Sequence, residues 1–255
     1  LIWSKINSSP FNSQIKIHND KFYIIDSTNT LRCFSLSTGN EIWNIKTQNN
    51  LIKSQKKLSM VIVNDKIYFN NSIGDISAVS LDKGELLWQL PTQSSLVIES
   101  AFGLETSEII ADNDTIFFSN NKNQFFSIDI NSGSFNWENK INSNVRPTVI
   151  DNLLFTVSIE GYLIILEKKT GNIIRVTDVF KNFKNKDRNK IKPSGFIVGK
   201  NNIYLSTNHG RLLVIDTSTG QTISTLKIDN QKISRPFILD KNLFVVKDNA
   251  IIKLN

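Results

Sequence analysis

The chain contains one cysteine in 255 residues. Cys33 therefore has no partner for an internal disulfide, and no cysteine metal cluster can form. It lies in the apolar run LRCFSL and reads as a small buried hydrophobe. There are two histidines. His18 stands at the end of an apolar run and His209 in the polar stretch TNHGR, and both read as exposed turn residues. No H-E-x-x-H, G-x-S-x-G, P-loop or CxxC motif occurs, so no catalytic residue, cofactor site or metal site is assigned. No run of 18 apolar residues is present that would span a membrane as a helix. No signal peptide is visible, and the chain opens on Leu1 rather than Met, as a boundary left by processing would. No stretch repeats its apolar residues with a helical period.

What is present is an ordinary globular composition, 40% hydrophobic and 21% charged, enough for a core that needs no disulfide or metal. The net charge is +7. Lysine is spread along the chain and the recurring turns carry Asp and Glu, so most of this charge reads as a dispersed, solvated surface. The strongest basic run is KNFKNKDRNKIK, Lys181–Lys192. A Phe between cations raises single-stranded nucleic acid as a partner, but a solvated loop is the simpler reading.

One phrase recurs. FSLSTGNEIW (Phe34–Trp43) returns as AVSLDKGELLW (Ala78–Trp88) and SIDINSGSFNW (Ser127–Trp137). It returns in altered form as ILEKKTGNIIR (Ile165–Arg175) and VIDTSTGQTIS (Val214–Ser224). The glycines Gly39, Gly84, Gly133, Gly171 and Gly220 are 45, 49, 38 and 49 residues apart. A period of roughly 45 residues marks a repeat architecture. Four residues before each glycine stands Ser35, Ser80, Asp129, Glu167 or Asp216, and Asp and Ser side chains there bond backbone N–H groups ahead of them to close a turn. Glycine supplies the positive φ. Trp43, Trp88 and Trp137 open the next strand, where an indole covers the gap to a neighbouring unit and donates its N–H to a carbonyl. A motif present in every repeat reads as structural.

Each repeat holds four short β-branched and aromatic runs punctuated by Asn, Asp and Gly. The expectation is an all-β protein, a β-propeller of four-stranded antiparallel blades. Six blades are readable in one domain, residues 1–255, with repeats at about 7–49, 50–94, 95–143, 144–180, 181–230 and 231–255. The last lacks a fourth strand, and Leu1–Ile6, LIWSKI, is a fourth strand without its first three. Ring closure would join them. Three insertions interrupt the rhythm, Thr47–Lys57, Pro91–Ser107 and Val179–Lys192. Each lies between the last strand of one blade and the first of the next, so all should open on one face, where function is to be sought.

The turn-and-Trp phrase resembles the PQQ-like repeat of quinoprotein propellers, with a loss of Trp at Arg175 and Ser224. In the dehydrogenase branch the resemblance would imply pyrroloquinoline quinone, calcium and a vicinal disulfide, which a single cysteine cannot make. The order of irregular features, from KLSMVIVNDKIYFNNSIGDISAVSLDKGELLWQLPTQ to the ending KNLFVVKDNAIIKLN, is similar to the BamB family. That family is the lipoprotein propeller of the outer-membrane β-barrel assembly machine, and the likeness is to its α-proteobacterial forms. The chain matches the last six of that family's eight blades, so it is either a fragment or a ring closing at six. The resemblance implies a non-enzymatic scaffold with no cofactor, at the periplasmic face of the outer membrane. It implies a lipid anchor outside this chain, no nucleic acid, and the barrel insertase as protein partner. The family's partner contacts fall here on Leu51, Ile52 and Lys53, where Lys stands for the family's Arg, and on Leu104, Glu105 and Glu108, where Glu stands for Asp at altered spacing. The alternatives are a PQQ-dependent or sugar-active propeller enzyme, and a sensor or adhesion propeller.

Overall fold

The structure, a computed structural model, describes residues 2–48, 56–92 and 103–254. They form six antiparallel sheets. The first runs β1 (Lys16–His18), β2 (Lys21–Ile25), β3 (Thr30–Ser35) and β4 (Glu41–Lys46), each hydrogen-bonded to the next. The second is β5 (Met60–Val63), β6 (Lys66–Asn70), β7 (Ile76–Ser80) and β8 (Leu86–Leu90). The third is β9 (Ile110–Asp112), β10 (Thr115–Asn120), β11 (Gln124–Asp129) and β12 (Phe135–Asn139). The fourth is β13 (Thr148–Ile150), β14 (Leu153–Val157), β15 (Tyr162–Glu167) and β16 (Ile173–Asp178). The fifth is β17 (Pro193–Val198), β18 (Asn202–Thr207), β19 (Arg211–Asp216) and β20 (Thr222–Lys227). The sixth has three strands, β21 (Phe237–Leu239), β22 (Asn242–Lys247) and β23 (Ala250–Leu254). These up-and-down sheets are the blades of a β-propeller. The chain divides into two compact units, Leu1–Lys122 with Phe126–Asn136, and Asn123–Phe125 with Trp137–Asn255.

Strand alternation explains the inner runs. On β6, Ile67 and Phe69 face one way and join Tyr23, Ile25, Leu31 and Cys33 of the first sheet. Tyr68, between them, faces the other way and packs with Ile116, Phe118 and Phe126 of the third. A strand buried on both faces is apolar at successive positions rather than at alternate ones, hence Ile67, Tyr68 and Phe69 in a row, with the buried Asn70 satisfied by hydrogen bonds. In the second unit Phe155 and Leu163 share a cluster with Phe196, Leu205 and Leu213 in the same way. The last strand of each blade is largely exposed, as the pattern on EIWNIK shows, and its Trp43 is half-buried.

The first hairpin of most blades turns on a residue with positive φ: Asn19, Asn64, Asn113 or Asp151, with φ from 49° to 54°. Asn and Asp tolerate that region better than other non-glycine residues.

Two expectations differ from the structure. Residues 2–7 form no strand, and Ile2 and Ile6 are 93% and 100% exposed. The sixth sheet ends at three strands among the described residues. The N-terminal segment is held by side chains instead, Trp3 on the Leu36 carbonyl and Lys5 on Asn40, bonds that require no strand ladder. The second difference is α1 (Asn185–Arg188), a single helical turn inside the third insertion. One turn is too short to show a helical period in sequence.

Candidate functional site

In each of the first five blades the Gly turn and the first hairpin lie at one end of the sheet. The second hairpin and the connection to the next blade lie at the other. The turn end carries the repeated motif. Gly39, Gly84, Gly133, Gly171 and Gly220 donate their N–H to the carbonyls of Ser35, Ser80, Asp129, Glu167 and Asp216 at 2.8–3.0 Å. Asp129 Oδ1 accepts from the N–H of Ser132 at 2.8 Å, and Asp216 Oδ1 from the N–H of Thr219 at 2.7 Å. The Ser218 hydroxyl, at 2.6 Å, acts most strongly on Asp216, and together these donors hold both carboxylates below the usual range, Asp216 at about 2.

The indoles dock on the following blade's turn rather than their own. Trp43 Nε1 donates to the Leu81 carbonyl at 3.3 Å, Trp88 to Ile130 at 3.2 Å and Trp137 to Lys168 at 3.0 Å. Trp3 donates to Leu36 at 2.8 Å. Each acceptor stands three residues before a motif glycine. A Cβ on Gly84 would come within 2.6 Å of the Trp43 ring, and one on Gly133 within 2.6 Å of Trp88. Glycine is thus required twice, for its φ of +72° or +73° and for the ring lying on it. Gly171 receives Trp137 likewise. Arg175, in the Trp position, reaches the same register: Nη2 donates to the Thr217 carbonyl at 2.9 Å and Nη1 to that of Ser218. Ser224, in the Trp position of the fifth blade, is exposed on β20.

The other end carries the insertions and is polar. A second recurring device, which the sequence also carries, places a side-chain acceptor three residues before a positive-φ turn residue. The pairs are Asp26 and Asn29, Asn71 and Gly74, Asn120 and Asn123, Ser158 and Gly161, Thr207 and Gly210. Asn71 Oδ1 accepts from the N–H groups of Ile73 and Asp75 at 3.1 and 3.0 Å. Asp26 is wholly buried. Burial opposes its ionisation, but the hydroxyl and N–H of Thr28, with Arg32 and the N–H of Thr30, outweigh that and hold its carboxyl below the usual range. Asp75 is shifted the other way, because burial outweighs its bonds from Gln89 and Asn71.

This polar layer fixes the roots of two insertions in the first unit. Asn29 Nδ2 donates to Ser72 Oγ at 2.8 Å and to the Gln48 carbonyl at 2.9 Å, and its own carbonyl receives the N–H and hydroxyl of Thr47. Thr92 Oγ1 donates to the Gly74 carbonyl at 2.8 Å. Thr106 Oγ1 accepts from Asn70 Nδ2 at 3.1 Å. All three threonines are under 9% exposed. The described flanks of both insertions are thus pinned by buried hydrogen bonds.

Of the residues that sequence places at a partner contact, Leu51, Ile52 and Lys53 lie outside the described residues. Leu104 is 3% exposed and serves as an anchor rather than a surface. Glu105 is exposed, its backbone zipped to Asn121 by bonds of 2.9 and 3.0 Å, and Glu108 is half-buried. His18 and His209 are both exposed. A cleft of about 290 Å³ at the turn end is lined by His18, Asp20, Lys21, Tyr23, Asp65 and Asp82. Among the described residues no three His, Cys, Asp or Glu side chains converge as metal ligands would.

A family profile described as outer membrane protein assembly factor BamB matches residues 1–177. The chain belongs to this family. The crystal structure of BamB from Moraxella catarrhalis superposes with a TM-score of 0.78 at 14% identity, over 97% of this chain and 72% of that one. Quinohemoprotein alcohol dehydrogenase from Comamonas testosteroni superposes with a TM-score of 0.67 at 12% identity, over 86% of this chain and 43% of that one. At these identities the likeness is one of fold, which the BamB family shares with the dehydrogenase. No match was found among curated proteins.

Proposed function

We propose that this BamB-family propeller is a non-enzymatic scaffold that assists assembly of outer-membrane β-barrel proteins at the periplasmic face of the outer membrane. The family match over residues 1–177 carries this reading. Its partner is a protein of the barrel-assembly machine, and its working surface is the loop end of the blades. Two features support that choice of surface. The repeat motif at the turn end is consumed by blade-to-blade docking. The loop end holds the insertions on stems pinned by Thr47, Thr92 and Thr106. Leu51, Ile52, Lys53, Glu105 and Glu108 are the contact residues on this reading, with Leu104 beneath them. Membrane attachment is by a lipid anchor outside this stretch. No helix of the described residues is long and apolar enough to cross a membrane.

Affinity capture of the intact gene product from solubilised outer membranes tests the reading. Barrel-assembly proteins should be recovered with it, and their absence from a capture that retains the folded propeller contradicts it. The likeness to the alcohol dehydrogenase favours a second reading, a PQQ enzyme. Incubation with PQQ and calcium followed by dye-linked alcohol oxidation distinguishes the two. The scaffold reading predicts no turnover and no bound-cofactor absorbance.

A further inference from the structure

The third insertion, residues 179–192, is a built platform. Val179, Phe180 and Ile191 are at most 6% exposed and sit in the core of the second unit, with Phe183 packed beside them. Gly161 in the neighbouring turn makes room: a Cβ there would lie 2.0 Å from the Phe180 ring. Arg188, on α1, donates to Asp178 at 2.7 Å and lies 5.6 Å over the Tyr162 ring. Asn208 ties the far end, donating through Nδ2 to the Lys190 carbonyl at 3.0 Å and accepting from the Lys192 N–H at 2.8 Å. A merely solvated loop needs none of these anchors.

What the platform presents is an excess of positive charge. Residues 181–192 hold six cations against the single Asp187. Lys184, Lys186 and Lys190 are exposed and have no ion pair among the described residues. At the same end of the fifth blade Arg211 and Lys227 are direct cross-strand partners, two like charges side by side. Such a pair is destabilising unless an anion intervenes. Lys232, in the connection to the sixth blade, is also exposed.

The chemistry of the surface selects its partner. Stacking on single-stranded nucleic acid needs open aromatic faces, but Phe180 is buried and Phe183 is packed edge-on against it, with centroids 5.5 Å apart. Insertion into lipid needs exposed apolar side chains, and none of the large ones in residues 179–192 is exposed. The segment's one guanidinium is engaged by Asp178, so residues 181–192 themselves offer ammonium point charges, which pair with the carboxylates of an acidic peptide without needing a fixed fork geometry. We propose that Lys184, Lys186 and Lys190, with Arg211, Lys227 and Lys232, form a docking surface for an acidic segment of a protein partner.

This stands on charge and anchoring alone, independently of the assembly role. Fluorescence anisotropy with a labelled twelve-residue peptide rich in Asp and Glu tests it on the full chain, with an oligo-dT of equal charge and phosphatidylglycerol vesicles as competitors. Binding of the peptide should weaken about tenfold between low and physiological salt. It should fall at least tenfold in the Lys184→Glu, Lys186→Glu, Lys190→Glu triple variant. Should the charge reversal impair folding, the corresponding Lys→Gln variant should still lose at least threefold with an unchanged thermal midpoint. A smaller loss overturns the proposal, as does tighter binding of either competitor than of the peptide.

Discussion

At the scale of single residues, the motif glycines separate two costs that usually travel together. Gly84 and Gly103 both have positive φ, +72° and +66°, but a Cβ at Gly84 strikes the Trp43 ring at 2.6 Å while one at Gly103 meets nothing within 4 Å among the described residues. Gly103→Ala should therefore cost only the backbone term, about 1 kcal/mol. Gly84→Ala should cost about 1–3 kcal/mol more, since the indole must leave its seat. Denaturant unfolding of the two variants measures the difference, and equal losses would mean that the ring does not hold the blades together. Arg175 gives the complementary case. Its guanidinium takes over the indole's carbonyl at the fifth blade. Arg175→Ala should lose about 1 kcal/mol, the usual worth of a partly exposed hydrogen bond. Arg175→Trp should recover that loss by donating to the Thr217 carbonyl as Trp137 does to Lys168. Unfolding midpoints of the two variants would show recovery or its absence.

At the scale of the turn and the strand, the Asp-closed turns make stability depend on pH. The Asp216 carboxyl is held at about 2 against an ordinary value of 3.8, by the Ser218 hydroxyl first and then the Thr219 N–H and hydroxyl. A folded pKa below the unfolded one stabilises fully above the unfolded value and fades as pH falls through the folded one. The contribution of Asp216 is thus complete above about pH 4 and lost on approaching pH 2. Carboxyl titration by NMR should place Asp216 well below Glu and Asp residues with no turn partner, and Asp216→Asn should remove its share of the acid sensitivity. Much of this level was legible in sequence. Positions of strands, the motif spacing and the role of glycine follow from alternation and from turn chemistry, which are local. Docking of the indole on a neighbouring unit's carbonyl was legible too; which carbonyl, 31 to 42 residues away, was not, because any residue supplies one. The second device, from Asp26–Asn29 to Thr207–Gly210, repeats as regularly as the first, but its residue types vary too much to announce it. The helical turn Asn185–Arg188 is held by its anchors rather than by any pattern of its own.

At the scale of the molecule, repetition divides the surface into a part that every blade needs and a part that only some blades have. The turn end of the blades is occupied by docking of indole and guanidinium. The loop end presents interruptions on buried polar stems, and one of them carries concentrated unpaired charge. The N-terminal stretch shows the limit of repeat arithmetic. Its Trp3 finds the same seat on Gly39 that later indoles find, yet residues 2–7 do not pair as a strand, because side-chain docking and ladder formation are separate requirements. The central claim is that function resides at the loop end. Site-specific photo-crosslinking in cells tests it most directly, with the crosslinker placed at Glu105 on the loop end and at Lys83 on the turn end. Crosslinks from Glu105 to barrel-assembly proteins and none from Lys83 are the predicted result; the reverse pattern would contradict the account.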